Sequence, residues 1–392
     1  MRRFSVVFFV IIVLILTVFM IINPQETVKA SSNGLKLWLY VVVPALLPFF
    51  IAAELLVNLG FISFLGVLLD PVMKPIFRLP GCSSLVVVMG FTSGFPMGAI
   101  LTRKLLDDKL LTVDEAERLV SFTNNSSPLF ILGAVGIGMF GSASLGYLLA
   151  VSLYLSNLLV GLMWRFRATE PVSSNKPTYA LLKNACQNLL KISSNNAPIG
   201  KVLGDAVKNS LNNILAIAGF IILFSVLTRM LTVWGIMDTM AMLLIKILAI
   251  FNVSYTIAYG LVMGIFEITI AAQTVALASQ GEVLYKLMAV SAILAFSGFS
   301  VIAQVMSFLA GTPIRFSFYL LSRLVQIGLS LIITLLGYHF FIVEKQAISS
   351  LSIPGYKLIY SFDAWGTSLF CLLLGLGIIA FMMLVSFLVN NR

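Results

Sequence analysis

The polar residues of this chain concentrate where an apolar helix is interrupted, and the interruptions come as two matched pairs. The first is Gly90-Phe91-Thr92-Ser93-Gly94-Phe95-Pro96-Met97-Gly98, a tip broken by glycine and proline between two short apolar arms. Its counterpart is Gly264-Ile265-Phe266-Glu267-Ile268-Thr269. Val88-Met89 precedes the first and Val262-Met263 the second, and 264 minus 90 gives an offset of 174. Adding 174 to Phe122-Thr123-Asn124-Asn125-Ser126 lands on Phe296-Ser297-Gly298-Phe299-Ser300. Matched breaks at one spacing predict an internal repeat whose discontinuous helices surround a site near the middle of a bilayer.

Composition agrees with that setting. The 392 residues are 60% hydrophobic and 10% charged, which excludes an ordinary soluble domain and predicts an all-α polytopic membrane protein with the lipid bilayer as partner. The net charge of +10 would suit nucleic acid, but the basic residues flank apolar segments instead of forming a face with interleaved aromatics, so no nucleic-acid partner is expected. Cys82, Cys186 and Cys371 are far apart and His339 is the only histidine, so no metal is expected. HExxH, GxSxG and a phosphate-binding glycine loop with lysine are all missing, which argues against an enzyme and against a cofactor.

Residues 1–35 read as a first transmembrane helix (4–22) and an outer loop. A retained span is preferred to a cleaved signal peptide, because the apolar run is long and the cleavage site near 29–32 is weak. The first repeat covers 36–164. It holds a span at 37–59, an interfacial stretch at 61–79, a hairpin at 83–106, a broken helix at 119–140 and a returning span. Each hairpin arm is about ten residues, or about 15 Å of helix, which reaches mid-bilayer and no further; a re-entrant hairpin is therefore expected. Thr112-Val113-Asp114-Glu115 is a helix N-cap with acidic residues in the first turn. Residues 165–208 form a basic cytoplasmic linker. The second repeat, 209–343, carries a hairpin at 254–279 and a broken helix at 283–309, and 344–392 is an outer loop with a C-terminal helix. Following the crossings from a cytoplasmic N-terminus makes the repeats inverted and brings the C-terminus back inside. Seven of the 25 Lys and Arg fall outside (Lys29, Lys36, Arg229, Lys246, Lys286, Lys345, Lys357), leaving 18 inside, as the positive-inside rule requires.

Breaking a helix in the membrane frees N–H and C=O groups that cost several kcal/mol each if left bare in lipid, so the breaks must face protein or a wet cavity. Freed N–H groups suit an anion, and carbonyls and hydroxyls suit a cation. The candidate substrate site is Thr92, Ser93, Asn124, Asn125, Ser126, Glu267, Thr269, Ser297 and Ser300. Glu267, Asn124 and Ser127 are the candidates for a coupling ion, H+ or Na+. The bland alternative for the hydroxyls is back-bonding to their own helices. Glu267 is the sharpest residue, since a carboxylate at a mid-membrane tip is costly. Glu54 and Asp238 are weaker candidates that pair or snorkel at span ends. Arg323 is within reach of an anionic substrate, but snorkelling to the cytoplasmic surface is the favoured reading.

At these motifs the chain resembles the nucleoside-recognition (Gate) superfamily, which includes the concentrative nucleoside transporters. It is most similar to the YlbJ-type sporulation integral membrane proteins, through GFTSGFPMGA at 90–99 and TNNSSP at 123–128. The resemblance covers roughly residues 36–343. It implies a transporter acting in the outer forespore membrane, derived from the mother cell, and moving dipicolinic acid toward the forespore. Carried over by position, the family's hairpin tips fall on 90–98 and 264–269 and its unwound helices on 123–128 and 297–300. The second break lacks the asparagines of the first, which argues against a symmetric ligand shell. A planar dianion would suit helix N-termini, hydroxyls and amides, with Phe91, Phe266 or Phe299 against its ring. The alternatives are a nucleoside-type carrier and a non-transporting scaffold acting through the linker. A homo-oligomer stays open.

Overall fold

Proline, glycine and side-chain caps decide where this chain leaves its helices. The computed structural model describes residues 2–59, 69, 72–167, 198–251 and 253–343, and among these no strand occurs. Helix α1 (Arg2–Ile22) stops at Asn23, and Pro24 opens α2 (Pro24–Leu37), with proline in the first turn where no N–H is missed. The two meet at 109°. Through a π-helical turn, Trp38–Val42, α2 continues into α3 (Val43–Asn58). The outer loop expected before residue 36 is thus largely helix. Its polar face is held by Arg229, which pairs with Glu26 at 2.6 Å.

The first tip joins α4 (Ser83–Ser93) to α5 (Met97–Asp107), and the two pack together. Gly94 turns the corner at φ 87°, a left-handed value that a side chain rarely adopts. Helix α6 (Val113–Thr123) begins with a full capping box: Thr112 Oγ1 accepts from the Glu115 N–H, and the Glu115 carboxylate accepts from the Thr112 N–H at 2.8 Å. Residues 124–127 are non-helical. The chain then resumes as the π-helical α7 (Leu129–Met139) and returns as α8 (Ala143–Trp164).

Helix α9 (Ile199–Val233) starts directly after Pro198, inside the stretch expected as linker. Burial explains this, since Ala206 and Ser210 are fully buried and tie the helix to the body. The remainder of that linker, 168–197, lies outside the described residues, as do most of the 61–71 portion of the interfacial stretch and the C-terminal helix. After α10 (Ile236–Ile247), the second tip joins α11 (Tyr255–Phe266) to α12 (Ile268–Ala276). The second broken helix comprises α13 (Val283–Phe296) and α14 (Gly298–Phe308), and α15 (Phe316–Gly337) follows. Among the described residues four helical stretches are long and apolar enough to cross a membrane, Ala143–Arg167, Ile199–Val233, Val283–Phe308 and Phe316–Phe340, or five if the bent pair at the N-terminus is one span.

The two sequence halves do not form separate bodies. One core joins Val120, Ile131, Val135 and Leu149 to Leu287, Val290, Ile293 and Tyr319. A second joins Phe50, Leu85, Leu105 and Phe122 to Ile214 and Ile217, and a third, smaller one joins Leu16, Phe19 and Ala30 to Val226 and Met230. Helix α15 packs on α6, α8 and α13, which brings a helix of the second half against the first break.

Candidate functional site

Each tip sits on the break of its own half. A methyl group on Gly90 would lie 2.1 Å from the Thr123 carbonyl oxygen, and one on Gly98 would lie 2.6 Å from the same atom. Only glycine admits so close an approach between α4, α5 and the end of α6. In the second half, a methyl on Gly298 would lie 3.1 Å from the Gly264 carbonyl and 3.2 Å from that of Phe266. Phe299 stands edge-on to both Phe266 and Phe296, at centroid separations of 6.2 and 5.7 Å. Phe91 instead packs against Tyr154 at 5.4 Å.

The predicted site residues divide into two groups by what their side chains do. Thr92, Asn124, Ser127 and Glu267 serve helices. Thr92 donates back to the Val88 carbonyl at 2.8 Å, the bland alternative named above. Asn124 accepts from the Ala99 N–H at 3.1 Å and donates to the Val120 carbonyl at 3.1 Å, so it satisfies the start of α5 from across the break. Ser127 accepts from the Phe130 N–H at 3.2 Å. Glu267, 5% exposed, caps α12 with both oxygens, accepting from the N–H groups of Thr269 at 2.9 Å and Ile270 at 2.8 Å. Thr269 contributes that backbone group and is half-buried.

Ser93, Asn125, Ser126 and Ser297 behave differently. All are buried, and Ser93 Oγ, Asn125 Oδ1, Ser126 Oγ and Ser297 Oγ have no hydrogen-bond partner within the protein. Ser297 also holds a left-handed backbone, φ 75°, at the second break. Ser300 is buried beside it, one turn into α14. Buried polar atoms are normally paired, so a set of unpaired oxygens at helix breaks marks a place where protein chemistry is incomplete.

Arg323 corrects the sequence-based expectation. It does not snorkel; it is fully buried on α15. Its guanidinium crosses to the other half and closes the C-terminal end of α6, with NH1 donating to the Asn124 carbonyl at 2.9 Å and NH2 to the Ser121 carbonyl. NH2 also reaches Asn157 Oδ1 on α8 at 3.3 Å. A cation at a freed helix C-terminus is favourable, which explains why an arginine is tolerated there. Ser322, Gln326, Ser330 and Thr334 continue the same face and are all buried, with Thr334 donating to Ser291 on α13 at 2.9 Å. Their four-residue spacing was a readable signal of a polar stripe on an otherwise apolar helix.

At one end of the helices lies an ion pair that sequence reasoning missed. Glu117, 1% exposed, accepts from the backbone N–H and Nε of Arg315, both at 2.8 Å, and from its NH2, with Arg167 3.9 Å away. Burial pushes the Glu117 carboxyl up, but hydrogen bonds and charge from Arg315 outweigh it and hold the group below the usual carboxylate range. Elsewhere, Lys104 pairs with Glu54 at 3.0 Å, and Tyr255 donates to Asp238, so both weaker acidic candidates are paired.

Apolar helices of spanning length and breaks lined by buried polar groups define an all-helical integral membrane protein. The chain belongs to the family of the sporulation integral membrane protein YlbJ: it is 45% identical to that protein of Bacillus subtilis (strain 168) over 318 residues, which is 80% of this chain and 78% of the relative. The Gate family, described as nucleoside recognition, matches residues 39–166. An uncharacterized protein of Alkalihalophilus pseudofirmus (strain ATCC BAA-2126 / JCM 17055 / OF4) is 32% identical over 164 residues, 40% of this chain and 34% of that one. No solved structure matches.

Proposed function

We propose that this protein is a secondary transporter that moves a small anionic heteroaromatic, dipicolinic acid foremost, across the outer forespore membrane during sporulation. The observation that carries the reading is the set of buried, unpaired oxygens of Ser93, Asn125, Ser126 and Ser297 at helix breaks. Membership of a sporulation membrane protein family supplies the setting, and the substrate comes from the resemblance stated above. In this reading the tips are re-entrant hairpins, the repeats are inverted, both termini are cytoplasmic, and the breaks alternate their access between the two sides. Ser93, Asn125, Ser126, Ser297 and Ser300 contact substrate. Glu267 carries the coupling proton, or else joins Asn124 and Ser127 in holding Na+. No enzymatic step and no cofactor is needed.

A second reading, a nucleoside-type carrier, is favoured by the nucleoside-recognition match over 39–166. Uptake of labelled dipicolinate into proteoliposomes, with unlabelled nucleosides as competitors, separates the two. Saturable uptake that nucleosides leave unchanged is the expected result. Competition by nucleosides favours the second reading, and no uptake of either solute under any ion gradient by folded, inserted protein refutes both.

A further inference from the structure

Arg323 is bonded, among the described residues, only to neutral partners: two carbonyls and one carboxamide oxygen. Among the described residues no carboxylate pairs with it. The C-terminal end of α6 offers about half an elementary negative charge, so the described residues leave about half of the guanidinium charge uncompensated in a fully buried position. That is an expensive arrangement in a membrane protein, and an intramembrane ionisable group of this kind is by default functional.

The same face of α15 carries more unfinished chemistry. Arg323 Nε, the Tyr319 hydroxyl and Gln326 Oε1 are all buried without a hydrogen-bond partner within the protein. Positions 319, 323 and 326 are four and three residues apart, one above another on one helix face. The guanidinium carbon lies 5.2 Å from the Tyr319 ring centroid. An N–H and an O–H on one helix face, both unpaired and next to a surplus positive charge, are the donors a carboxylate needs. The Gln326 carboxamide, turned half way about its last bond, presents N–H in place of oxygen.

We propose that Tyr319, Arg323 and Gln326 form a carboxylate subsite on α15, which takes one carboxylate of an aromatic dicarboxylate whose ring and second carboxylate lie toward the unpaired groups of the two breaks. This rests on the anion-transport reading above and names the charge that selects the anion. The guanidinium plays two parts: its NH1 and NH2 hold the end of α6, and its Nε faces ligand. Substrate binding is thereby coupled to the register of the first break, because one side chain touches both.

Tyr319→Phe gives the decisive test, since it removes an unpaired hydroxyl and leaves the core volume unchanged. Binding of pyridine-2,6-dicarboxylate, pyridine-2-carboxylate and uridine is measured on the purified full chain in nanodiscs, together with thermal unfolding. Tyr319→Phe should keep the wild-type unfolding midpoint or raise it, while weakening dicarboxylate binding about tenfold, the loss of one hydrogen bond to a charged group. Arg323→Gln should abolish dicarboxylate binding, and Arg323→Lys should restore part of it through charge alone. Dicarboxylate bound by Tyr319→Phe and by folded Arg323→Gln as tightly as by wild type overturns the subsite and leaves the anion reading standing. Folded wild-type protein that binds uridine but neither carboxylate overturns both. Dicarboxylate binding with the expected variant pattern but no uptake in proteoliposomes overturns the transporter reading and upholds the subsite.

Discussion

Gly90→Ala isolates the close contact on which the first half of the site depends. Alanine is the better helix former, so in an open helical position the exchange should stabilise by about 0.5–1 kcal/mol. At Gly90 the new methyl would sit 2.1 Å from the Thr123 carbonyl oxygen and 3.1 Å from its carbon, both backbone atoms that no rotamer change can move aside. Relief requires α4 to separate from the end of α6 by roughly 1 Å, and such overpacking costs about 1–3 kcal/mol or more. The net expectation is a loss of about 1–2 kcal/mol, together with transport, because the same displacement pulls Asn124 away from the Ala99 N–H and from Arg323. Gly328→Ala is the control: it lies within α15 with nothing within 4 Å of the added methyl, so it should be neutral or slightly stabilising. Thermal unfolding in detergent and proteoliposome uptake read both variants. A Gly90→Ala protein as stable and as active as wild type would refute the packing argument and the claim that tip and break act as a unit.

Three further predictions use other parts of the molecule. Thr112→Ala removes half of the capping box of α6 and should cost about 1 kcal/mol in stability while leaving dipicolinate affinity unchanged, as chemical denaturation and binding isotherms will show. Glu117→Gln should destabilise and remove an acid-side loss of stability. Because the folded-state carboxyl lies below its ordinary value of 4.5, its contribution is complete above that pH and falls away as pH drops through the lowered value; unfolding midpoints of the variant should therefore flatten there relative to wild type. Glu267→Gln keeps one acceptor for the start of α12 but cannot take up and release a proton, so uptake driven by a proton gradient should stop; normal, pH-independent uptake by that variant would sink proton coupling through this residue.

The breaks were legible because glycine, proline and short polar runs interrupt apolar periodicity wherever they occur, and helices do end at Ser93, Thr123, Phe266 and Phe296. The Thr112 cap was legible for the same local reason. Residues 199–208 were not, since a basic, polar sequence reads as linker until tertiary contact buries Ala206. What each polar side chain does was also hidden. Asn124 and Thr92 look alike in sequence, yet one reaches across a break and the other bonds back to its own helix.

Arg323 shows where sequence reading stops. Its distance from the helix end permits snorkelling, and only the packing of α15 against α6 reveals that the guanidinium is turned inward onto freed carbonyls. A chain that needed only to close those carbonyls had cheaper means, since a neutral donor such as asparagine or serine satisfies them without burying a charge. Retaining arginine makes sense when the charge has a partner for part of the working cycle. The four-residue stripe Ser322, Gln326, Ser330, Thr334 extends from that charge over about three turns of helix, or about 18 Å, more than half the hydrocarbon thickness. A polar track of that length starts beside the buried cation that holds the first break and reaches Ser291 of α13 at its far end, so it links the first half's break to the second half's broken helix through groups that lipid alone would not tolerate.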